Sequence, residues 1–372
     1  MLTPKVLFIT QGSEKLASSR TRVYQYLPFL QAVGIQYKVF PILEWSPTLH
    51  AGTKQPQGNL QTFLERRLSW ARQILAILTA KGYDVVFIQK VLLPPALLDV
   101  LAHMGKPYLF DLDDAIYATH QYYRDERTLL AWLRARWKFI TRRRLRHVIG
   151  TSQCVVLEND DTKEFASQFN QNILVITGPI DITRYSPRAT ERGDGRVVIG
   201  WIGSPPNTIY LQPIYGVFQR LAQAYPQVVF EFIGAQPFEL PGVELRFTQW
   251  TLETEVENLH RFDIGIMPVP DDEWSRGKGG YKLLQYMALG IPSVASPVGI
   301  NSKLLSHGET GYLVSTEEEW FQKLEELVVN AQLRQSMGQK ARDLAASRYS
   351  FQVAAPRFIA ALRAAVGDKS NL

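Results

Sequence analysis

Cysteine, clustered histidine and long apolar runs are all scarce in this chain of 372 residues, and each scarcity removes a class of function. Cys154 is the single cysteine, which excludes an internal disulfide and any cysteine-rich metal site and agrees with a reducing compartment. The six histidines, His50, His103, His120, His147, His260 and His307, lack metal-ligand spacing, so no zinc site is expected. No uninterrupted apolar stretch reaches the roughly 20 residues that span a bilayer. The segment MLTPKVLFIT reads as a β-strand and not as a charged leader followed by an apolar run. No signal peptide is expected, and the cytoplasm is the expected compartment. Neither GxxxxGK[ST] nor GxGxxG is present, because GWIGSPPN has the wrong spacing for both. ATP hydrolysis and hydride transfer by those routes are therefore disfavoured.

What is present is a globular α/β composition. A length of 372 residues exceeds what one core usually covers, so two domains are expected. Strand-like and helical runs alternate from the start: KVLFIT, RTRVYQYLPFLQAV, YKVFPIL, TFLERRLSWARQILAILTAKG, DVVFIQK, PPALLDVLAHMG, PYLFDLDD, a basic helix near residues 125–146, HVIGTS, DTKEFASQFN and NILVIT. That alternation predicts a parallel sheet with helices on both faces. A polar, Gly- and Pro-punctuated stretch from Gly178 to Arg196 interrupts it, and RVVIGWIGS begins it again. The expected division is residues 1–180, residues 181–350, and a C-terminal helix over 351–372 that crosses back towards the first domain. Two doubly wound, Rossmann-like domains are expected to face each other across a cleft. The formal charge of +6 is a mild excess that suits a phosphorylated ligand, nucleic acid or an anionic membrane without choosing among them.

The most informative stretch runs from Gly277 to Gly299, GKGGYKLLQYMALGIPSVASPVG. Gly277, Gly279 and Gly280 give a loop whose backbone can approach a ligand closely, and Lys278 and Lys282 add charge where an apolar helix begins. Gly290 ends that helix and a short β-prone segment follows. A helix N-terminus favours an anion by roughly 0.3 to 1 kcal/mol, whereas a Lys about 4 Å from a phosphate oxygen contributes about 4 kcal/mol at an effective dielectric near 20. The lysines therefore dominate the expected diphosphate site. The bland alternative is a glycine turn before a core helix, with both lysines in solvent.

Other motifs admit more than one reading. LFDLDDAIY could be a phosphatase-type nucleophile, a metal-binding DxD of a sugar transferase, or acids at the carboxyl end of a parallel strand. The first is disfavoured because Ala115 stands where a threonine is needed, and the second requires a divalent cation. In the third, Asp113 and Asp114 emerge where open α/β sheets place ligands, although an acid there, Asp111 included, can equally cap a turn. Arg20 and Arg22, near the start of a helix after the first strand, could hold an anionic acceptor group or simply be surface arginines. The helix containing Leu129, Trp132, Leu133, Trp137 and Ile140 among many arginines could lie on an anionic bilayer or pack on the sheet with its arginines solvated.

With these residues in view, the chain resembles the retaining glycosyltransferases of family 4, glycosyl transferases group 1, with the GT-B fold. The similarity lies in GYKLLQYMALGIPSVASPVGIN and HGETGYLV, with weaker echoes in VLFIT, GPIDITRYSP and IGWIGS; SSRTRVYQYLP, FDLDDAIY and GKGGYKLLQYMALG together resemble a bacterial subgroup. Two departures stand out. Of the two glutamates that the family usually carries, the second falls on Gln285, whose amide can still bond ribose hydroxyls, and the first falls on Gly277. The basic pair usual after the first strand of the second domain is missing from GSPPNTIYLQP, a role that Lys278 and Lys282 could take. The resemblance implies metal-independent transfer of a sugar from a nucleoside diphosphate donor, UDP-sugar favoured, with no cofactor. It implies a glycan, lipid or small-molecule acceptor and no nucleic acid, and the basic helix near residues 125–146 tilts the expectation towards a membrane-associated acceptor. Implied roles are Lys278 and Lys282 on the departing diphosphate, Gly203 and Ser204 on the phosphates, and Gln285 on ribose. Gln249 or Trp250 would flank the base, and Glu273, Ser275, Leu283 and the amides of Gly279 and Gly280 would lie near the donor. Asp113, Asp114, Arg20 and Arg22 would orient the acceptor. The alternatives are a non-catalytic nucleotide-sugar binder and a metal-dependent DxD transferase.

Overall fold

Runs such as VLFIT and VVFIQ become strands because both faces of a parallel sheet are covered, so every side chain along them can be apolar. The computed structural model describes residues 3–43, 59–118, 129–189 and 193–367. In chain order the first strands are β1 (Val6–Thr10), β2 (Tyr37–Pro41), β3 (Val85–Gln89), β4 (Tyr108–Leu112), β5 (Cys154–Leu157) and β6 (Ile173–Val175). They pair in parallel in the order β2-β1-β3-β4-β5-β6. The accompanying helices are α1 (Ala17–Arg22), α2 (Leu27–Ala32), α3 (Asn59–Thr79), α4 (Pro95–His103), α5 (Leu129–Thr151) and α6 (Asp160–Ala166).

The second sheet contains β7 (Val197–Ile202), β8 (Val228–Ile233), β9 (Leu245–Thr248), β10 (Ile264–Met267), β11 (Ser293–Ala295) and β12 (Tyr312–Leu313). It too is parallel, in the order β12-β11-β10-β7-β8-β9. Its helices are α7 (Tyr215–Ala224), α8 (Glu255–Leu259), α9 (Tyr281–Ala288), α10 (Asn301–Leu304), α11 (Glu317–Val329) and α12 (Ala331–Arg348), and α13 (Phe351–Ala365) closes the chain. The α/β class with two parallel, helix-covered sheets is the one that the sequence predicts.

The residues group into two units. The first comprises Met1–Thr177, Asp272–Gly279 and Gln352–Leu372; the second comprises Gly178–Asp271 and Gly280–Phe351. Within the first, one sheet face carries Leu7, Ile9, Val86 and Ile88 against Ile77, Leu98 and Val148 of α3, α4 and α5. The opposite face carries Phe8 and Phe87, and Phe358 of α13 packs there, its ring 5.0 Å from Phe87 and 4.4 Å from Tyr26. In the second unit Val198 and Ile202 face one core while Val197, Ile199 and Trp201 face another. The alternation follows from the period of two along a strand. In each sheet the strand order reverses at one point, between β1 and β3 and between β10 and β7, where strand carboxyl ends leave room for a ligand.

Two local expectations need correction. HVIGTS is not a strand: helix α5 continues to Thr151, and the strand is the following CVVL. Val148 and Ile149 are apolar because they are the buried face of that helix, a pattern that a short window cannot distinguish from a strand. RTRVYQYLPFLQAV is not one helix either. It divides into α1, a 3-10 turn at Tyr24–Tyr26, and α2, whose first turn holds Pro28. Proline has no N–H to donate to the preceding turn.

Phe358→Ala removes a ring packed among Phe8, Tyr26 and Phe87, and is expected to destabilise the protein by about 3 to 5 kcal/mol. Urea unfolding measures it, and a loss below about 1 kcal/mol contradicts the packing described.

Candidate functional site

In the first unit, ionisable side chains gather at the carboxyl ends of β1, β3, β4 and β5. Gln89 organises the loop after β1: its Oε1 accepts from the Gln11 amide and from Ser19 Oγ, and its Nε2 donates to Ser18 Oγ at 2.7 Å. Ser18 in turn donates to Asp113. Lys90 directly follows β3 with φ 59°, a left-handed conformation that a residue with a side chain adopts only when its surroundings fix it. Its ammonium lies 2.9 Å from Asp113 Oδ1 and also bonds Asp114. Burial raises the Asp114 carboxyl, but Lys90 outweighs burial and holds it below the ordinary carboxylate range. Asp113 and Asp114 are thus together at the strand end, with Lys90 as their counter-ion.

Arg22 is an internal cation and not the surface arginine of the alternative reading. It is 2% exposed, and its guanidinium donates to Asp111 at 3.0 Å, to Glu158 at 3.2 Å and to the Ile176 carbonyl at 3.0 Å. Arg20 is also buried, and its Nη1 donates to the carbonyl of Glu14 at 3.2 Å.

The segment Asp272–Gly279 completes this cluster. Asp272 caps a short helical turn, Glu273–Arg276, by accepting from the Ser275 amide. Asn159 donates to the carbonyls of Arg276 and Lys278 at 3.3 and 3.0 Å. A Cβ at Gly277 would lie 2.3 Å from Ala115 Cβ and against its backbone, so that glycine is required by close approach, whereas one at Gly279 would lie 1.7 Å from Glu158 Oε2 and would displace that carboxylate. Lys278 places its ammonium 5.8 Å from the Trp274 ring centroid. Burial lowers its pKa despite the opposing pull of Asp114 and Asp272. Ser275 is buried and its Oγ has no hydrogen-bond partner, whereas Glu273 is exposed.

Three cations here, Arg22, Lys90 and Lys278, meet five carboxyls, Asp111, Asp113, Asp114, Glu158 and Asp272. Burial pushes the Glu158 carboxyl up to about 8 against the pull of Arg22. Burial likewise pushes Asp111 up to about 6 against the pull of Arg22.

The second unit holds the remaining predicted residues. Gly203 follows β7 and its amide donates to the Ile233 carbonyl at 3.0 Å; Ser204, exposed, accepts from Asn207 Nδ2 at 3.0 Å. Gly280, φ 68°, is the left-handed N-cap of α9. Lys282 in the first turn sets its ammonium 5.0 Å from the Trp201 ring centroid. Leu283 lies wholly inside the core, so only its backbone can meet a ligand. Gln285 is also buried, and its Nε2 donates to the Tyr185 hydroxyl at 3.2 Å. Tyr185 bonds Glu255, whose other oxygen accepts from Trp250 Nε1 at 2.6 Å. Gln249 is exposed beside Trp250. A separate cavity of about 330 Å³, lined by Tyr210, Pro268, Pro270, Pro297, Glu317 and Trp320 among others, contains none of the predicted residues.

Residues 196–330 match the family described as Glycosyl transferases group 1. HepE of Anabaena, solved in complex with UDP-glucose, superposes with a TM-score of 0.63 at 15% identity over 97% of this chain and 100% of that one. Sucrose-phosphate synthase from Thermosynechococcus elongatus superposes with 0.66 at 12% identity over 95% and 97% of the two chains. A glycosyltransferase from Rickettsia africae gives 0.65 at 11% identity over 99% and 100%. The fold is that of GT-B glycosyltransferases. No curated protein matches the sequence. The fold and the matched segment together support a glycosyltransferase.

Sequence reasoning missed four residues of this GT-B chain that the structure places beside predicted ones. Lys90 and Glu158 directly follow strands β3 and β5, so the carboxyl-end rule applied to Asp113 would also have found them. Tyr185 sits in GPIDITRYSP, where its partner is not legible, and Glu255 reads as a surface acid of a short helix. Among the described residues no group of three or more His, Cys, Asp or Glu could hold a metal ion, and no helix is long and apolar enough to cross a membrane.

The proton on Glu158 has a measurable consequence. A carboxyl whose folded pKa of about 8 exceeds its ordinary value of 4.5 stabilises the fold fully below pH 4.5, and that stabilisation is lost as pH rises towards 8. One proton limits the slope to about 1.4 kcal/mol per pH unit. Glu158→Gln is expected to flatten the decline in unfolding midpoint between pH 5 and pH 8; an unchanged decline contradicts the assignment.

Proposed function

We propose that the protein is a retaining, family 4 type glycosyltransferase that moves a sugar from a nucleoside diphosphate sugar, UDP-sugar favoured, to a glycan, lipid or small-molecule acceptor without a metal ion. The observation that carries this reading is Lys282, at the first turn of a helix with a left-handed glycine N-cap, inside the segment matched to Glycosyl transferases group 1. HepE, with the same fold, is the protein solved with UDP-glucose, which favours that donor class here.

The chemistry is governed by charge. As the bond from the anomeric carbon to the diphosphate breaks, negative charge gathers on the departing phosphate, and a cation already in place lowers the barrier. The second unit supplies Lys282, the backbone at Gly203 and the hydroxyl of Ser204 to the donor, with Gln285 on ribose. Trp250 or Gln249 flanks the base. Lys278 is proposed to act on the departing charge, and Asp113 and Asp114 to orient the acceptor hydroxyl. The acceptor oxygen forms its bond to the same face of the anomeric carbon, and its proton passes to the departing phosphate oxygen. Asp113 and Asp114 already have Lys90 as their cation, which supports the metal-free form of the reaction.

A membrane-surface acceptor has support of its own. Leu68, Leu75 and Leu78 of α3 and Phe139 and Ile140 of α5 are exposed, and so are Arg143, Arg144 and Arg146 of α5. Apolar side chains beside arginines suit an anionic bilayer. The side chains of Leu129, Trp132, Leu133 and Trp137 lie outside the described residues.

Two measurements test the proposal. Incubation with a panel of nucleotide sugars is expected to release nucleoside diphosphate from one of them with a chelator present; binding without turnover would favour a non-catalytic binder, and chelator-sensitive turnover a metal-dependent transferase. Lys282→Met is expected to weaken UDP binding tenfold or more by calorimetry, each 1.4 kcal/mol being about one decade. Unchanged affinity removes Lys282 from the donor site.

A further inference from the structure

Gln285 is set in a chain of hydrogen bonds whose direction is fixed at its far end. Glu255, 3% exposed, has a carboxylate that can only accept. Its Oε2 takes the Trp250 indole N–H, and its Oε1 takes the single proton of the Tyr185 hydroxyl. Burial lifts the Tyr185 hydroxyl well above its ordinary pKa, so that proton stays on the phenol. A phenol that has spent its proton can only accept from its other neighbour. That neighbour is the Gln285 amide, which therefore turns its NH₂ to Tyr185, as the 3.2 Å contact from Nε2 records. The carbonyl Oε1 must then point the other way, and among the described residues nothing donates to it. Nor is it a sealed, unsatisfied atom.

We propose that Tyr185 and Glu255 are positioning residues that lock the Gln285 amide with its carbonyl outward, so that Gln285 meets the ribose diol of the nucleotide with that carbonyl as a hydrogen-bond acceptor. This rests on the nucleotide-sugar reading above. A glutamine so held offers hydroxyl donors the same polarity as a carboxylate, without the charge. It also makes a glutamate at this position unfavourable: two carboxylates, on Glu255 and on residue 285, would compete for one phenolic proton. A hydrogen bond lost at a buried group is worth about 1 to 3 kcal/mol, or roughly one to two decades in affinity.

Calorimetry of the full chain with UDP and with 2′,3′-dideoxyuridine diphosphate reads the effect as a ratio. The wild type is expected to prefer UDP by about tenfold or more. Tyr185→Phe is expected to bring that ratio to about threefold or below while leaving dideoxy affinity unchanged, a result that general damage to the fold does not produce. Gln285→Glu is expected to lower UDP affinity about tenfold. A Tyr185→Phe protein that keeps the wild-type ratio, or a Gln285→Glu protein that binds UDP as well as wild type, overturns the proposal. A wild type that binds both compounds equally overturns it too, while nucleotide-sugar turnover can still stand. A wild type that binds neither removes the nucleotide reading itself.

Discussion

A parallel sheet covered on both faces leaves charge almost no place except the carboxyl ends of its strands. β1, β3, β4, β7 and β8 are buried along their whole length. An ionised group inside such a layer costs several kcal/mol unless an opposite charge meets it in good geometry. Asp111, fully buried within β4, meets that condition only because Arg22 reaches it from α1. The same requirement explains why Lys90 adopts a left-handed backbone conformation at the end of β3: from there its ammonium reaches Asp113 and Asp114. The arrangement after the strands is thus set by the demand for pairing.

The two units meet that demand differently. The first sets full charges against one another, with burial raising Glu158 where Arg22 is shared with Asp111. Around Gln285 the second uses directional hydrogen bonds, running from Gln285 through Tyr185 to Glu255, with Lys282 held over the Trp201 face. Close backbone approach limits both. Gly277 has no room for a side chain beside Ala115, and Gly280 must be left-handed to start α9. Gly277 and Gly280 are therefore required by packing and φ independently of any ligand.

The fold was largely legible in the sequence because its period-two and helical patterns alternate and recur. The errors fell where local windows are ambiguous: HVIGTS is apolar enough for a strand yet ends a long helix, and Pro28 divides an otherwise helical run. The site was legible only as a set of positions. Asp113 and Asp114 were found from the strand that precedes them, but Lys90, their partner, comes from the neighbouring strand, and pairing across a sheet leaves no mark in a single sequence. Arg22 seemed exposed because its sequence neighbours are polar, although Asp111 and Glu158, 89 and 136 residues away, draw it inside. Gln285 was legible as a group able to bond ribose hydroxyls, but its partner Tyr185, 100 residues away, was not.

The central claim is that the second unit recognises a nucleoside diphosphate through a cation at the start of α9 and an outward amide carbonyl one turn later. A crystal structure of the protein with UDP tests it most directly. The account predicts a diphosphate oxygen in contact with Lys282 Nζ and a ribose hydroxyl donating to Gln285 Oε1. Ordered UDP that touches neither side chain would contradict it.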